Sequence, residues 1–382
     1  MIYLDNAATS FPKPPEVYAE VVRTMMQYGG NPGRGTHRLS LAAADRIYEC
    51  RERAAKLFGL EEPERVFFTL NTTYGLNTVI KGVLREGDHV LISDLEHNAV
   101  YRPIYKLAKE GKISYSIYSS MAYEKEGRDE KICSDILRKL RKNTKMLICT
   151  HASNICSLTM PIEKIARLCK SCGIFMLVDG AQSAGRMEIR VDRWGIDAIC
   201  LPSHKGLYGP QGGGMVLLGK GIHLDTFAEG GTGVNSLMGE MPEFSPERYE
   251  AGTLPTPAIA GLCKGMEFVA DVGEKNVYEM EKRLFCAARD ELALQKGVRI
   301  YLPDVEGGTL LFNVDEIPAD EVGKRLDEMG ICVRSGFHCT ALGHKTLRTG
   351  KNGAVRISFG VYNDLSDVDA LCAGIRQIVR EG

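Results

Sequence analysis

The chain carries almost no net charge, with 48 lysines and arginines against 49 acidic residues over 382 positions. That balance gives no electrostatic footing for nucleic acid or an anionic membrane surface, and no basic stripe is interleaved with aromatics. No apolar run approaches the roughly 18 to 20 residues of a membrane helix. The N-terminus, Met1-Ile2-Tyr3-Leu4-Asp5-Asn6, passes directly into a strand and turn without the marks of a signal peptide, so a cytoplasmic location is expected. There is no internal repeat or low-complexity tract. Nor is there a G-x-G-x-x-G between an early strand and helix, which argues against a nicotinamide-dependent dehydrogenase. Cysteine is not scarce, at twelve, yet disulfide frameworks belong to small secreted domains, so reduced thiols are expected. The pair in Cys169-Lys170-Ser171-Cys172 has no partner pair at zinc-ribbon spacing, and no metal site is expected.

What is present suits a soluble enzyme. With 44% hydrophobic and 25% charged residues, the chain can bury a large core and divides into a large and a small domain. The expected large domain spans 15–255; the small one combines 1–14 with 256–382. From Val66 the pattern alternates strand and helix: Val66 to Leu70 then Tyr74 to Leu84, His89 to Ile92 then Ala99 to Lys109, Ile113 to Tyr118 then Ile132 to Leu140. It continues through Met146 to Cys149 and Ile162 to Cys172 to strands at Ile174 to Val178, Asp197 to Leu201 and Met215 to Leu218. Such alternation predicts an α/β fold, a mostly parallel sheet flanked by helices, with ligands outside the carboxyl ends of its strands. After a glycine-rich stretch, 230–252, helices and strands from about Pro257 onward predict a smaller α+β domain.

Two strand ends carry the chemistry. Asp179 closes one apolar run, and Lys205 follows the next in Ser203-His204-Lys205-Gly206. Taken singly, Asp179 could cap a turn and Lys205 could be a solvated surface lysine. Together they suit pyridoxal phosphate (PLP), which needs a lysine amine to bond its aldehyde and an acid to keep its ring nitrogen protonated. Asn71-Thr72-Thr73 offers hydroxyls and backbone amides at a helix start, favourable for phosphate, although a threonine cap accounts for it equally. Glu96-His97-Asn98 and Asn154 follow two further strands.

The ordered series Tyr3-Leu4-Asp5-Asn6-Ala7-Ala8, Arg34-Gly35-Thr36-His37-Arg38-Leu39-Ser40, Asn71-Thr72-Thr73, Glu96-His97-Asn98, Asp179-Gly180-Ala181-Gln182, Ser203-His204-Lys205, Glu250-Ala251-Gly252-Thr253, Arg334-Ser335-Gly336-Phe337-His338-Cys339 and Arg356-Ile357-Ser358 resembles the class V aminotransferase family of fold-type I PLP enzymes. Within it, the chain is most similar to the group II cysteine desulfurases and selenocysteine lyases. The resemblance implies a large domain with a seven-stranded sheet, Lys205 holding PLP, Asp179 on its ring nitrogen, His97 stacked on the ring and Gln182 at the phenolic oxygen. It places Thr72, Thr73, Ser203 and His204 on the phosphate, with Thr253 reaching in from a second subunit of a homodimer. Asn154 and Arg356 would hold the substrate carboxylate, with His37 also at the substrate side. Cys339 would take sulfur from L-cysteine as a persulfide, for iron-sulfur cluster assembly or another sulfur-requiring pathway through an acceptor protein. Selenocysteine lyase, or another class V lyase or aminotransferase, is the alternative.

Cys339 distinguishes these reactions. Arg334 and His338 beside it in sequence are expected to make a cationic neighbourhood favouring the thiolate. A passive thiol, or a metal group with Cys332, His338 and His344, are the other readings of the same residues. Phe337 stands where relatives commonly have a second histidine, and Thr340 where alanine is common.

Overall fold

The computed structural model describes residues 1–33 and 35–381; Arg34, part of one motif above, and Gly382 lie outside the described residues. The larger sheet has seven strands in the order Val66–Thr69, Gly214–Leu218, Ala198–Pro202, Phe175–Asp179, Thr144–Thr150, His89–Ser93 and Ser114–Tyr118. Only Gly214–Leu218 runs antiparallel to its neighbours. The central strands read as unbroken apolar runs because both faces are covered. Alternate residues divide between them: Leu91, Leu147, Met176, Val178, Ile199 and Leu201 pack on one side, and Val90, Ile92, Ile148, Leu177 and Cys200 on the other. That period of two is the pleat of a strand, hidden in the sequence because neither face is polar.

A second sheet is antiparallel, in the order Arg334–Gly336, Ala354–Ser358, Thr309–Val314 and Val298–Tyr301. Phe312, Val355 and Ile357 of this sheet pack with Phe285, Leu326 and Leu371 from three helices in a separate core. Leu4 joins that core, and Ile2–Tyr3 pairs in parallel with Ile331–Cys332. The first residues of the chain are therefore fixed against its last third.

Element types agree with the expected pattern, with ends shifted by a few residues. Not anticipated were the strands Val298–Tyr301 and Arg334–Gly336 and the short helix Ala341–Leu347. That helix contains Gly343, where a Cβ would lie 2.8 Å from Thr340 and 2.9 Å from Ile155. Close packing, not propensity, selects glycine there.

Candidate active site

At the carboxyl ends of the large sheet lies a cavity of about 240 Å³ whose wall includes Thr72, His97, Asp179, Lys205, Cys339 and Arg356. Thr73, Asn154, Gln182 and His204 border the same space.

One end of the cavity is suited to an anion. Helix Thr72–Val83 begins here, capped by Asn71, whose side chain accepts from the Tyr74 N–H at 3.1 Å. Its free N–H groups and dipole favour negative charge. Thr72 Oγ1, Ser203 Oγ and His204 Nδ1 are buried without a hydrogen-bond partner. The backbone is packed tightly around them: a Cβ on Gly209 would sit 2.2 Å from Ser203 Oγ, and one on Gly214 2.7 Å from the Asn71 carbonyl carbon.

At the centre, Asp179 ends its strand, 3% exposed. Burial raises its pKa, opposed by the Ala181 N–H, which donates to Oδ1 at 3.0 Å, and by the charge of Lys205. Burial lowers Lys205 to about 8, with Asp179 opposing and Arg356 reinforcing the shift. His97 is lowered to about 4 by burial and by the nearby cations Lys205 and Arg356. Its Nδ1 accepts from the Ala99 N–H at 3.0 Å, so the ring is neutral with its proton on Nε2. Gln182 Nε2 donates to the Ala7 carbonyl at 2.9 Å, fixing the amide.

Facing these, Arg356 is 2% exposed. Its Nη2 meets Asp5 Oδ1 at 2.5 Å and its Nη1 donates to the Asn154 carbonyl at 3.0 Å, while Nε has no partner. Arg334 also borders the cavity and pairs with Asp5 at 3.4 Å. Asp5, on the first turn of the chain, was not singled out by its residue type; only the opening motif marked it.

The Cys339 loop forms the remaining wall. His338 and Cys339 both have left-handed backbone, at φ 50° and 55°, a costly conformation for residues other than glycine. Three ties hold it: Thr340 Oγ1 donates to Asn154 Oδ1 at 2.6 Å, Asn154 Nδ2 to the His338 carbonyl at 2.9 Å, and the Asn98 N–H to the Cys339 carbonyl at 2.7 Å. The Asn154 side chain thus ties this loop while the residue borders the cavity, on the side where the resemblance places it for substrate and cofactor. The expected cationic contribution of His338 is corrected: burial lowers it to about 3, and its ring instead stacks on His344 with 3.0 Å between Nδ1 and Nε2. Arg334 is the cation that remains beside the loop. No cluster of three or more metal-ligating side chains occurs among the described residues.

Three expected site residues are not in the wall of this cavity: Ser203, which is fully buried, and His37 and Thr253, which stand elsewhere in their own chain. His37 caps helix Arg38–Phe58, accepting from the Ser40 N–H. Thr253 is exposed, within 3.4 Å of Asn31 Nδ2. Its segment is anchored by Glu250, which pairs bidentately with Arg51 and accepts from the Phe68 N–H at 2.6 Å.

The aminotransferase class-V family profile matches residues 2–371. A probable cysteine desulfurase from Halalkalibacterium halodurans is 31% identical, with 99% of this chain and 93% of that protein aligned. Another from Pyrococcus abyssi is 32% identical, covering 100% and 94%. Among solved structures, the apo cysteine desulfurase of Thermococcus onnurineus NA1 superposes with a TM-score of 0.87 at 30% identity, over 100% of this chain and 95% of that one. With a match spanning nearly its whole length and relatives of this likeness, the chain belongs to the class-V aminotransferase family.

Proposed function

We propose that this chain is a PLP-dependent cysteine desulfurase that converts L-cysteine to L-alanine and holds the removed sulfur on Cys339. The observation carrying the reading is that Cys339 lies in the wall of the same cavity as Lys205 and Asp179. The curated relatives' names support it.

The residues fit PLP. Thr72, Thr73, Ser203 and His204 would hold its phosphate, since the Thr72 hydroxyl, at a helix start, and the Ser203 hydroxyl, after a strand end, are buried and unpartnered. Asp179 would face its ring nitrogen, where an opposed cation offsets the cost of a buried carboxylate. His97, neutral, would lie against its face and Gln182 near its phenolic oxygen. When bound, PLP would draw electrons away from the substrate's Cα.

The chain's own groups do the rest. Arg356, held in plane by Asp5 and the Asn154 carbonyl, would take the substrate carboxylate, with Arg334 the second cation at that end. Lys205 would anchor the cofactor and, once free, move the α-proton, because an amine near pKa 8 is a usable base at neutral pH. The Cys339 thiolate would attack the substrate sulfur: a sulfur–sulfur bond forms, the Cβ–S bond breaks, and its electron pair remains on carbon, which gains a proton. In sum, L-cysteine and the Cys339 thiol give L-alanine and a Cys339 persulfide.

The reading includes a homodimer in which the second copy supplies Thr253, which is not in the wall of its own chain's cavity. It also includes His37 at the substrate side, the domain division at residues 14/15 and 255/256, and a cytoplasmic place. Among the described residues no helix is long and apolar enough to cross a membrane. Purified protein reconstituted with PLP and supplied with L-cysteine and a thiol reductant is expected to form alanine and sulfide in equal amounts. Alanine from L-selenocysteine but not from L-cysteine would replace this activity with that of a lyase.

A further inference from the structure

One charge pair lies behind the cavity, away from solvent. Arg186, 6% exposed, and Glu281, 1% exposed, meet at 3.0 Å between Nε and Oε1. They come from different parts of the fold. Arg186 follows the turn after strand Phe175–Asp179, whereas Glu281 sits on helix Glu274–Ala293, whose Leu284, Phe285 and Ala288 belong to the core of the second sheet. Neither Arg186 Nε nor either Glu281 oxygen has a directed hydrogen bond among the described residues, so the contact is electrostatic. Burial raises the Glu281 pKa, and the Arg186 charge opposes it. A buried pair is a poor source of stability, because desolvation offsets most of the attraction. Its placement points to another task.

Arg186 adjoins two of the groups assigned to the cofactor. Its Nη1 lies 3.4 Å from Gln182 Oε1, and Gln182 Nε2 donates to the Ala7 carbonyl at 2.9 Å. Turned the other way, the amide would set its NH2 against the guanidinium and its oxygen against a carbonyl. Cation and carbonyl therefore fix one orientation, and the second hydrogen of Nε2 remains available at the cavity that Gln182 borders. The Arg186 stem also packs on the peptide after Lys205: a Cβ on Gly206 would lie 3.3 Å from Arg186 Cγ and 3.4 Å from Nε. Gly308 leaves room for the acid, since a Cβ there would lie 2.4 Å from Glu281 Oε2. The charges acting on Lys205 are Asp179, which raises its pKa, and Arg356, Arg186 and Arg334, which lower it. We propose that Arg186 is a positioning residue for the cofactor, presenting the Gln182 amide N–H to the phenolic oxygen and setting a fixed positive charge behind Lys205. Glu281 supplies, from the other core, the counter-charge that a buried guanidinium requires. This rests on the PLP reading above and gives roles to two residues which that reading leaves unused. Neither touches the reacting atoms; both act through Gln182 and Lys205.

The test uses the full-length protein, cofactor-free and PLP-loaded, with three variants. Arg186→Met/Glu281→Leu replaces the pair by apolar side chains, a change that buried pairs tolerate. Arg186→Lys keeps the charge and drops the fork. Glu281→Gln leaves the guanidinium without its counter-charge. Thermal unfolding reports the fold, absorbance reports PLP capture across pH 6 to 10 and the band of the loaded protein, and alanine assays separate kcat from KM. In the double variant the capture curve is expected to move up by about half a pH unit, with capture at pH 7 about threefold slower, because one charge lowering Lys205 is gone. Its loaded band should shift and kcat fall about fivefold, the scale of one hydrogen bond, while KM stays within about twofold. Arg186→Lys should keep the capture curve but shift the band, and Glu281→Gln should move the curve down. A pair with only a structural role would lower the unfolding midpoint and move neither curve nor band. A double variant that unfolds cooperatively with curve and band unchanged would overturn the proposal. Where the double variant does not fold, Arg186→Lys decides, and an unchanged band there overturns it. No PLP capture by the unmodified protein at any pH would instead overturn the cofactor reading, and the positioning role with it.

Discussion

The two walls of the cavity are built by different means. The wall with Asp179, Lys205 and Thr72 hangs on strand ends of a sheet buried on both faces, where Leu177, Val178, Ile199 and Cys200 are fully buried. Moving any of these residues means moving a packed core, which interiors at crystal-like density resist. The Cys339 wall is a loop with two consecutive non-glycine residues in left-handed backbone, fixed by side-chain ties from Asn154 and Thr340. Rigidity on one side suits residues that must hold a cofactor through every cycle. On the other, a loop held by a few hydrogen bonds, each worth about 1 kcal/mol net, suits the role proposed for its thiol, which takes up sulfur and must then release it.

Changes on the rigid wall should have the largest effects. Replacing Lys205 by alanine removes both the proposed cofactor anchor and the proposed proton carrier, so turnover should fall by at least about a thousandfold, the scale of losing an essential acid–base group. Stopped-flow or endpoint alanine assays check this; turnover within tenfold of the unmodified protein would break the assignment. Asp179→Asn keeps shape but removes the charge opposing the ring nitrogen. A loss of about a hundredfold in kcat is expected, with a shifted cofactor absorption band.

The same wall makes a pH prediction. Only the neutral amine of Lys205 can capture the cofactor aldehyde. With its pKa lowered to about 8, the capture rate in the cofactor-free protein should rise with pH and level off above about 8. A surface lysine would keep rising toward its ordinary value of about 10.4. Mixing PLP with the protein across pH 6 to 10 and following absorbance separates the two, and a rate still climbing near pH 10 would contradict the burial of this amine.

The loop wall should give smaller effects of a different kind. Thr340→Ala deletes the bond to Asn154 Oδ1 and leaves that acceptor unpaired. A loss of roughly 1 kcal/mol corresponds to about a fivefold fall in alanine formation. The cofactor spectrum should stay unchanged, and Thr340→Ser should restore the rate because it keeps the hydroxyl. An unchanged rate in the alanine variant would show that the loop needs no such tie.

The same contrast decides what was legible in the sequence. Asp179 and Lys205 could be read because each follows an apolar run that fixes a strand end, a local signal. The buried hydroxyls of Thr72 and Ser203 could only be guessed as phosphate ligands, since threonine at a helix start has a capping use too. The loop's ties join residues 184 and 186 positions apart, and the Asp5–Arg356 pair spans 351; no local pattern records such partners. Cys339 was visible only through the family's motif. The neutrality of His338 was hidden because it follows from burial against His344, within the unanticipated helix Ala341–Leu347.

The most direct test of the account compares alanine formation from L-cysteine by the unmodified protein and by Cys339→Ala, each loaded with PLP under a thiol reductant. The account predicts that the variant loses turnover while its cofactor spectrum is retained, since the rigid wall is untouched. Equal alanine from both proteins would mean that Cys339 does not receive the sulfur, contradicting the central claim.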